Sequence, residues 1–325
     1  DQQVVVTSDS MFQTKDGGKT WTMDFMRGTF GDFRCVWWDP QDQDRVMARL
    51  AAIAARTRQL AIAGIYRAGS GHPGGALSAA DLLAVLYGAE LSIPGGTTDD
   101  PGRDRFVLSK GHAAPALYAV WAAMGYVADA VPLALRRIGT ASQGHPHVLD
   151  LPLSETSTGS LGQGFSVAIG MALGLRHQYV PARVYTMLGD GECQEGEVWE
   201  GAMCAAHHAL SNLCAVVDYN KLQSDDRNAN IMGLEPFAAK WRAFGWHAVE
   251  IDGHDRAAIL AALAEAAATH DRPTVVIAHT IKGKGVSYME DKPLWHGSVK
   301  MKPDETRQAL AELGASETDI ATWMA

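Results

Sequence analysis

The chain is short of several things, and each shortage excludes a class of function. Positive charge comes first: 28 lysines and arginines stand against 37 aspartates and glutamates, a formal net charge of −9. A sequence-independent hold on nucleic acid needs an excess of Lys and Arg, so that partner is not expected. Cysteine is scarce. Cys35, Cys193, Cys204 and Cys214 show no CxxC spacing, and Cys204 and Cys214 lie in apolar contexts, where buried reduced thiols are expected rather than a metal site. No run reaches the roughly eighteen consecutive apolar residues of a membrane span, and no signal-peptide core is seen. The expected compartment is the cytoplasm, with no membrane partner. What remains is ordinary for a globular protein: 325 residues, 47% hydrophobic and 20% charged, with ample core for one large domain or two small ones.

Residues 1–46 do not match the rest. Val4–Val6, Met11–Gln13 and Trp21–Met23 are short β-prone runs separated by Asp-Gly-Gly turn chemistry. Thr14-Lys15-Asp16-Gly17-Gly18-Lys19-Thr20-Trp21 resembles the Asp-box hairpin of sialidase-type β-propellers, and Cys35-Val36-Trp37-Trp38-Asp39-Pro40 looks like the strand and turn that follow it. One such unit cannot bury its own faces. Residues 1–46 therefore read as a hairpin or propeller-like fragment joined to a complete unit, residues 47–325, and outside any catalytic unit. The alternative is a genuine extension that packs on the main domain.

From Met47 onward, helical and buried-strand patterns alternate. Helices are expected at Ala48–Arg67, from a Ser78–Asp81 capping box to about Leu91, at Ala113–Met124, Ser160–Arg176, Gly196–Leu210 and Ala257–Ala268. Strands are expected at Phe106–Leu108, Val184–Leu188, Leu213–Val217, Trp246–Ile251 and Pro273–Ala278, with a short, charged, peripheral helical tail from Pro303. The alternation predicts an α/β fold, a doubly wound parallel sheet with helices on both faces, preceded by a short β-rich segment.

Within it, Gly189-Asp190-Gly191-Glu192 follows one apolar strand, and Asp218-Tyr219-Asn220-Lys221 ends the next. Strand, helix and strand in that length form a parallel crossover, which places Asp190 and Asn220 at the carboxyl ends of neighbouring strands. A carboxylate and an amide oxygen there, beside a glycine, suit a hard divalent cation that holds a diphosphate. Four histidines are each flanked by glycine: Gly71-His72-Pro73-Gly74, Gly111-His112-Ala113, Gly144-His145-Pro146 and Trp295-His296-Gly297. Four strand-end positions are expected for them. Glycine permits close ligand approach, and imidazole binds phosphate or shuttles protons near neutral pH. A zinc site would call for HxxxH or CxxC spacing, which is missing.

These segments together resemble the N-terminal, diphosphate-binding half of transketolase, as encoded by split genes. The resemblance runs over residues 47–300. It is carried by Ser70-Gly71-His72-Pro73-Gly74, Leu108-Ser109-Lys110-Gly111-His112, Thr158-Gly159-Ser160-Leu161-Gly162-Gln163-Gly164, Gly189-Asp190-Gly191, and Lys282-Gly283-Lys284-Gly285-Val286 with Trp295-His296-Gly297. The resemblance implies thiamine diphosphate with Mg²⁺ or Ca²⁺ as cofactors, and the thiamine-diphosphate-binding fold. It implies that Asp190, Asn220 and the carbonyl of Leu222 hold the metal. Gly191, His112 and His296 would contact the diphosphate, and Gly159 and Leu161 the pyrimidine side. Ser160 stands where the family often has Pro. His72, His145 and His296 are implied as the catalytic, substrate-facing residues. Glu195 and Glu200 resemble acidic residues at the family's dimer interface, or are solvated helix carboxylates. Lys282 would reach the phosphates or form part of a basic turn.

The activity implied is transfer of a two-carbon ketol unit from a ketose phosphate to an aldose phosphate, as in pentose phosphate interconversion. The glutamate, aromatics and arginines that the family carries on its pyrimidine-binding domain are not expected in this chain. A partner subunit that supplies them is implied, in an α2β2 complex that acts on sugar phosphates. The alternatives are the α-chain of a 2-oxoacid dehydrogenase decarboxylating component, a 1-deoxyxylulose-phosphate synthase fragment, or a non-catalytic binding protein with a degenerate cofactor half.

Overall fold

The computed structural model describes residues 40–325 and three strand segments before them, with side chains described from residue 44. The three segments, β1 (Gln3–Val6), β2 (Ser10–Thr14) and β3 (Thr22–Phe25), form an antiparallel meander, β2 pairing with both neighbours. The β-rich start expected from the sequence is thus present. The Asp-box stretch at 15–21 and the Cys35–Asp39 run lie outside the described residues.

The larger unit holds five parallel strands: β4 (Arg105–Leu108), β5 (Val184–Gly189), β6 (Leu213–Tyr219), β7 (His247–Asp252) and β8 (Thr274–His279), in the order β4-β5-β6-β8-β7. Every residue of β5 and β6 is buried, as near-continuous apolar runs covered on both faces require. The edge strand β7 carries His247, Glu250 and Asp252 toward solvent, and charge there discourages further pairing.

Helices cover both faces. They are α1 (Pro40–Ala68), α2 (Pro73–Val85), α3 (Ala114–Ala123), α4 (Ala130–Leu133), α5 (Gln163–His177), α6 (Gly196–His207), α7 (Asn228–Ile231), α8 (Phe237–Ala243), α9 (Arg256–Ala268), α10 (Pro303–Glu312) and α11 (Glu317–Met324). The pleat sorts the strand residues into two cores. Tyr185 and Met187 of β5, Cys214 and Val216 of β6, and Val276 of β8 pack with α1, α2, α3 and α9. Val184 and Leu188, Ala215 and Val217, and Val275 and Ile277 pack on the other side with α5, α6 and α8. There Trp241 and Trp246 meet at 5.0 Å and Phe165 packs on both. Each such fully buried large side chain contributes roughly 1.5–3 kcal/mol.

The structure corrects five local readings. Helix α1 begins at Pro40, seven residues ahead of the expected unit boundary. Ser78 caps nothing: α2 starts at Pro73, is buried throughout, and passes into a π-helical turn over Leu86–Glu90. Helix α5 starts at Gln163, because Gly162 at φ +86° ends the preceding loop. The tail is not peripheral, since α10 and α11 bury Leu310, Ile320 and Trp323 in the first core and Arg56 lies 4.7 Å over the Trp323 ring. Cys204 is exposed, whereas Cys214 is buried as expected; on α6 the apolar neighbours of Cys204 belong to a different face. Among the described residues no helix is long and apolar enough to cross a membrane.

Candidate active site

Strand order decides where the site forms. With β8 inserted between β6 and β7, the loops that leave β4, β5, β6 and β8 open at one edge, as in other open parallel sheets. They line a cleft of about 300 Å³. Lys110 and His112 come from the β4 exit, Asp190, Gly191 and Glu192 from β5, Asn220, Leu222 and Gln223 from β6, and Lys282 and His296 from β8. His72 enters from the N-terminus of α2, and His145, Gly159 and Leu161 from the connection before α5. The ten residues implied as catalytic, cofactor-binding or metal-holding therefore line one cavity, with Lys282 and Glu195 beside them; Glu200 does not. Only His112 directly follows a strand; His72 and His145 come from helix-linking loops, and His296 lies seventeen residues beyond β8.

Three imidazoles from distant loops face one another. Ring centroids are 5.3 Å apart for His72 and His112, 5.4 Å for His112 and His296, and 5.9 Å for His72 and His296. Glycine makes this approach possible. A Cβ on Gly297 would lie 2.1 Å from the His72 ring, and one on Gly111 would lie 2.9 Å from the backbone nitrogen of Gly159.

Electrostatically the cleft is set for an anion. Burial lowers His72 to about 4 and His296 to about 3, and His112 lies well below its ordinary value; nearby positive groups push each the same way. His145, on the open rim, is lowered by desolvation and then by Arg136. Lys282, buried beside Lys110, falls to about 8. Its ammonium donates to the Leu222 carbonyl at 2.6 Å and to His296 Nδ1 at 2.5 Å. The proton of His296 is therefore on Nε2. Asp190 is pushed up to about 6 by burial and by the charge of Asp218, so its carboxylate calls for a cation.

The cavity fits a diphosphate with a hard cation by its own chemistry. A carboxylate, the Asn220 amide and the Leu222 carbonyl are oxygen donors of the kind Mg²⁺ and Ca²⁺ take. Two buried polar atoms on the wall, His72 Nδ1 and Gln223 Nε2, have no partner among the described residues, as groups that await a ligand would. Gly191 bonds back to Asp190 Oδ1 at 2.8 Å, and Asp190 Oδ2 accepts the Lys221 amide.

Two buried carboxylates hold the site together, and neither was assigned a role from the sequence. Asp218 pairs with Lys110 and accepts from Ser78 at 2.6 Å and from Thr280. Burial is the largest single influence and opposes its ionisation, yet the Lys110 charge and the hydrogen bonds from Lys110, Ser78 and Thr280 together outweigh burial and lower it. Glu192 accepts from Ser109 Oγ at 2.5 Å, Gly162 N at 2.8 Å and Gly189 N at 3.0 Å, joining the β4 exit, the loop before α5 and the β5 exit. Both lie beside residues that were singled out, but a carboxylate's burial is not written in its neighbours. Glu195 and Glu200 are exposed, with Glu195 on the cleft rim.

Comparison with known proteins agrees with this picture. Residues 50–321 match the family described as transketolase, thiamine diphosphate binding domain. The chain is 43% identical over 256 residues to the 6-deoxy-6-sulfo-D-fructose transketolase subunit SqwG of Clostridium sp. (strain MSTE9), covering 79% of this chain and 93% of that one. It is 38% identical over 235 residues to an apulose-4-phosphate transketolase subunit of Phocaeicola vulgatus, 72% of this chain and 83% of that one. Against the transketolase of Homo sapiens it is 42% identical over 257 residues, and spans 40% of that protein's length. A solved transketolase from Leishmania mexicana superposes with a TM-score of 0.78 at 28% identity, covering 85% of this chain and 44% of that one.

Proposed function

The chain belongs to the transketolase family through its thiamine-diphosphate-binding domain, and on that premise we propose that it is the cofactor-binding subunit of a split transketolase. The observation that carries this reading is the convergence of His72, His112 and His296 with Lys282, Asp190 and Asn220 in one cleft. Asp190, Asn220 Oδ1 and the Leu222 carbonyl would hold Mg²⁺ or Ca²⁺. The Gly191 amide, His112 and Lys282 would take phosphate oxygens, with His112 at the start of α3 adding the positive end of that helix. Gly159 and Leu161 would line the pyrimidine side. When bound, thiamine diphosphate supplies a nucleophilic carbon and an electron sink.

The chain's own residues then position and protonate. His72 and His145 are neutral near pH 7, the form that accepts a proton from a ketose hydroxyl. His296, protonated on Nε2 and held by Lys282, donates a hydrogen bond toward the ligand. Held imidazoles lower the entropic cost of the encounter. The product is a two-carbon ketol unit passed from a ketose phosphate to an aldose phosphate.

The two subunit relatives are matched over 83% and 93% of their length, whereas the full-length human transketolase is matched over 40%. This supports a partner subunit, which we propose carries the pyrimidine-binding domain; an α2β2 arrangement with Glu195 and Glu200 at an interface, in the cytoplasm, is part of the same proposal. Residues 1–39, ahead of α1, would be dispensable. The test is co-expression with a companion subunit of that kind, and assay with thiamine diphosphate and Mg²⁺. Donors should include xylulose 5-phosphate, 6-deoxy-6-sulfo-D-fructose and apulose 4-phosphate, the last two because relatives are named for them. Transfer in the mixture alone, lost in Asp190→Ala, supports the reading. Decarboxylation of a 2-oxoacid in place of ketol transfer would replace it with the dehydrogenase α-chain.

A further inference from the structure

Arg136 lies outside the cleft lining and binds none of the groups proposed to hold the cofactor. Its backbone is left-handed, at φ +57°, a conformation that costs an L-residue about 1–2 kcal/mol and glycine nothing. Its side chain spans two loops. Nη1 donates to Ser70 Oγ at 2.9 Å, two residues ahead of His72. The other side of the guanidinium lies against Gly144, the residue before His145, where a Cβ would come 2.7 Å from Nε and 3.3 Å from Cζ. The Arg136 amide also donates to Ser142 O at 2.8 Å, closing the loop that leads into Gly144. No carboxylate pairs with Arg136 among the described residues, so its charge is not spent on an ion pair.

We propose that Arg136 is a positioning residue whose guanidinium ties the loop of His72 to the loop of His145 and sets how the two imidazoles meet a bound ketose. This role rests on the substrate-facing reading of those histidines. Electrostatics support it. After burial, Arg136 is the leading cause that keeps both His72 and His145 below the ordinary histidine range. The other charged or titratable groups that face His72 are His145, Lys282 and Lys110, with the rings of His112 and His296 beside it. A planar guanidinium can bond Ser70 and cover Gly144 at once, which a lysine ammonium cannot.

The whole chain carrying Arg136→Met or Arg136→Lys tests this in two ways. Histidine NMR titration needs no substrate. Arg136→Met should raise the apparent pKa of His72 and His145 by about half a unit or more and leave His112 and His296 in place; Arg136→Lys should titrate as wild type. In the complex with its companion subunit, both variants should lose about tenfold in kcat/KM for the donor ketose, with thiamine diphosphate affinity unchanged. Unaltered titration of His72 and His145 overturns the proposal. So does Arg136→Lys with wild-type kinetics, or a parallel loss of cofactor affinity, which would mark a merely structural contact. If the wild-type complex transfers no ketol unit, the functional reading falls by itself, and the titration still decides whether Arg136 sets the two imidazoles.

Discussion

The Lys282 ammonium lies 2.5 Å from His296 Nδ1 and 2.6 Å from the carbonyl of Leu222. One buried cation thereby orients an imidazole and satisfies a carbonyl on the same wall. Replacing it with Lys282→Met should leave His296 free to flip and should raise its pKa, since Lys282 is the largest cause after burial of the lowered value. Hydrogen bonds to charged groups are worth about 1.5–3 kcal/mol, so thiamine diphosphate affinity should fall by roughly ten- to a hundredfold. Isothermal titration with Mg²⁺ present measures it, and unchanged affinity would remove Lys282 from the diphosphate site.

Asp218 and Lys110 form a pair with almost no exposure on either side chain. Asp218→Asn would strand the Lys110 ammonium and should destabilise the fold by about 3–5 kcal/mol. The double variant Asp218→Leu with Lys110→Met removes both charges, so it should be closer to wild type in urea unfolding than the single one. Stability equal to Asp218→Asn in the double variant would show that the pair does more than satisfy itself.

Acid stability should depend on Asp81. Burial alone would raise its pKa, but hydrogen bonding from His254 and the charges of Arg58 and Arg256 hold the carboxyl well below the usual carboxylate range. A depressed folded pKa contributes stability above the unfolded value of about 3.9 and loses it as pH falls toward the folded value. Asp81→Asn should therefore cost about 3–5 kcal/mol at pH 7, and the gap to wild type should narrow steadily below about pH 4. Chemical unfolding at pH 7, 4 and 3 follows that gap, and a constant difference across the series would contradict the ion-pair account.

Thiol chemistry should separate the cysteines. In a Cys35→Ser background, one thiol should react rapidly with a disulfide reagent in the native state. That thiol is Cys204, which is exposed, while Cys193 and Cys214 are buried and their pKa values raised, Cys214 to about 12. Mass spectrometry of the labelled peptide identifies the site; fast labelling at Cys193 would mean that the loop after β5 opens.

Asp190→Ala should abolish metal-dependent binding of the cofactor, at a cost of at least about a hundredfold in affinity, as loss of a charged hydrogen-bonding partner implies. Titration with thiamine diphosphate in Mg²⁺ and in a chelator measures the difference. Equal binding in both would place the cation elsewhere.

Most of the architecture was legible in the residues themselves. Val184–Leu188 and Leu213–Val217 are apolar on both faces, which only a sheet covered on both sides requires, and the intervening helix has the length of a parallel crossover. That pattern alone placed Asp190 and Asn220 at neighbouring strand ends, because register in a buried parallel sheet leaves no other choice; Gly189 pairs with Asp218. The glycine-flanked histidines were visible for the same local reason, the backbone freedom beside each imidazole. What the linear order could not carry was the insertion of β8 between β6 and β7, which brings Lys282 and His296 back to Asp190. Nor could it show the burial of Glu192 and Asp218, or the reach of Arg136 from one loop to another. Those depend on which side chains lie within a few ångströms across sixty or more residues of chain, a distance that local periodicity does not encode. The elements and the ligand chemistry were determined by the sequence alone, through local apolar patterning and residue type; the protonation, pairing and mutual distance of the groups that use that chemistry were decided by tertiary packing.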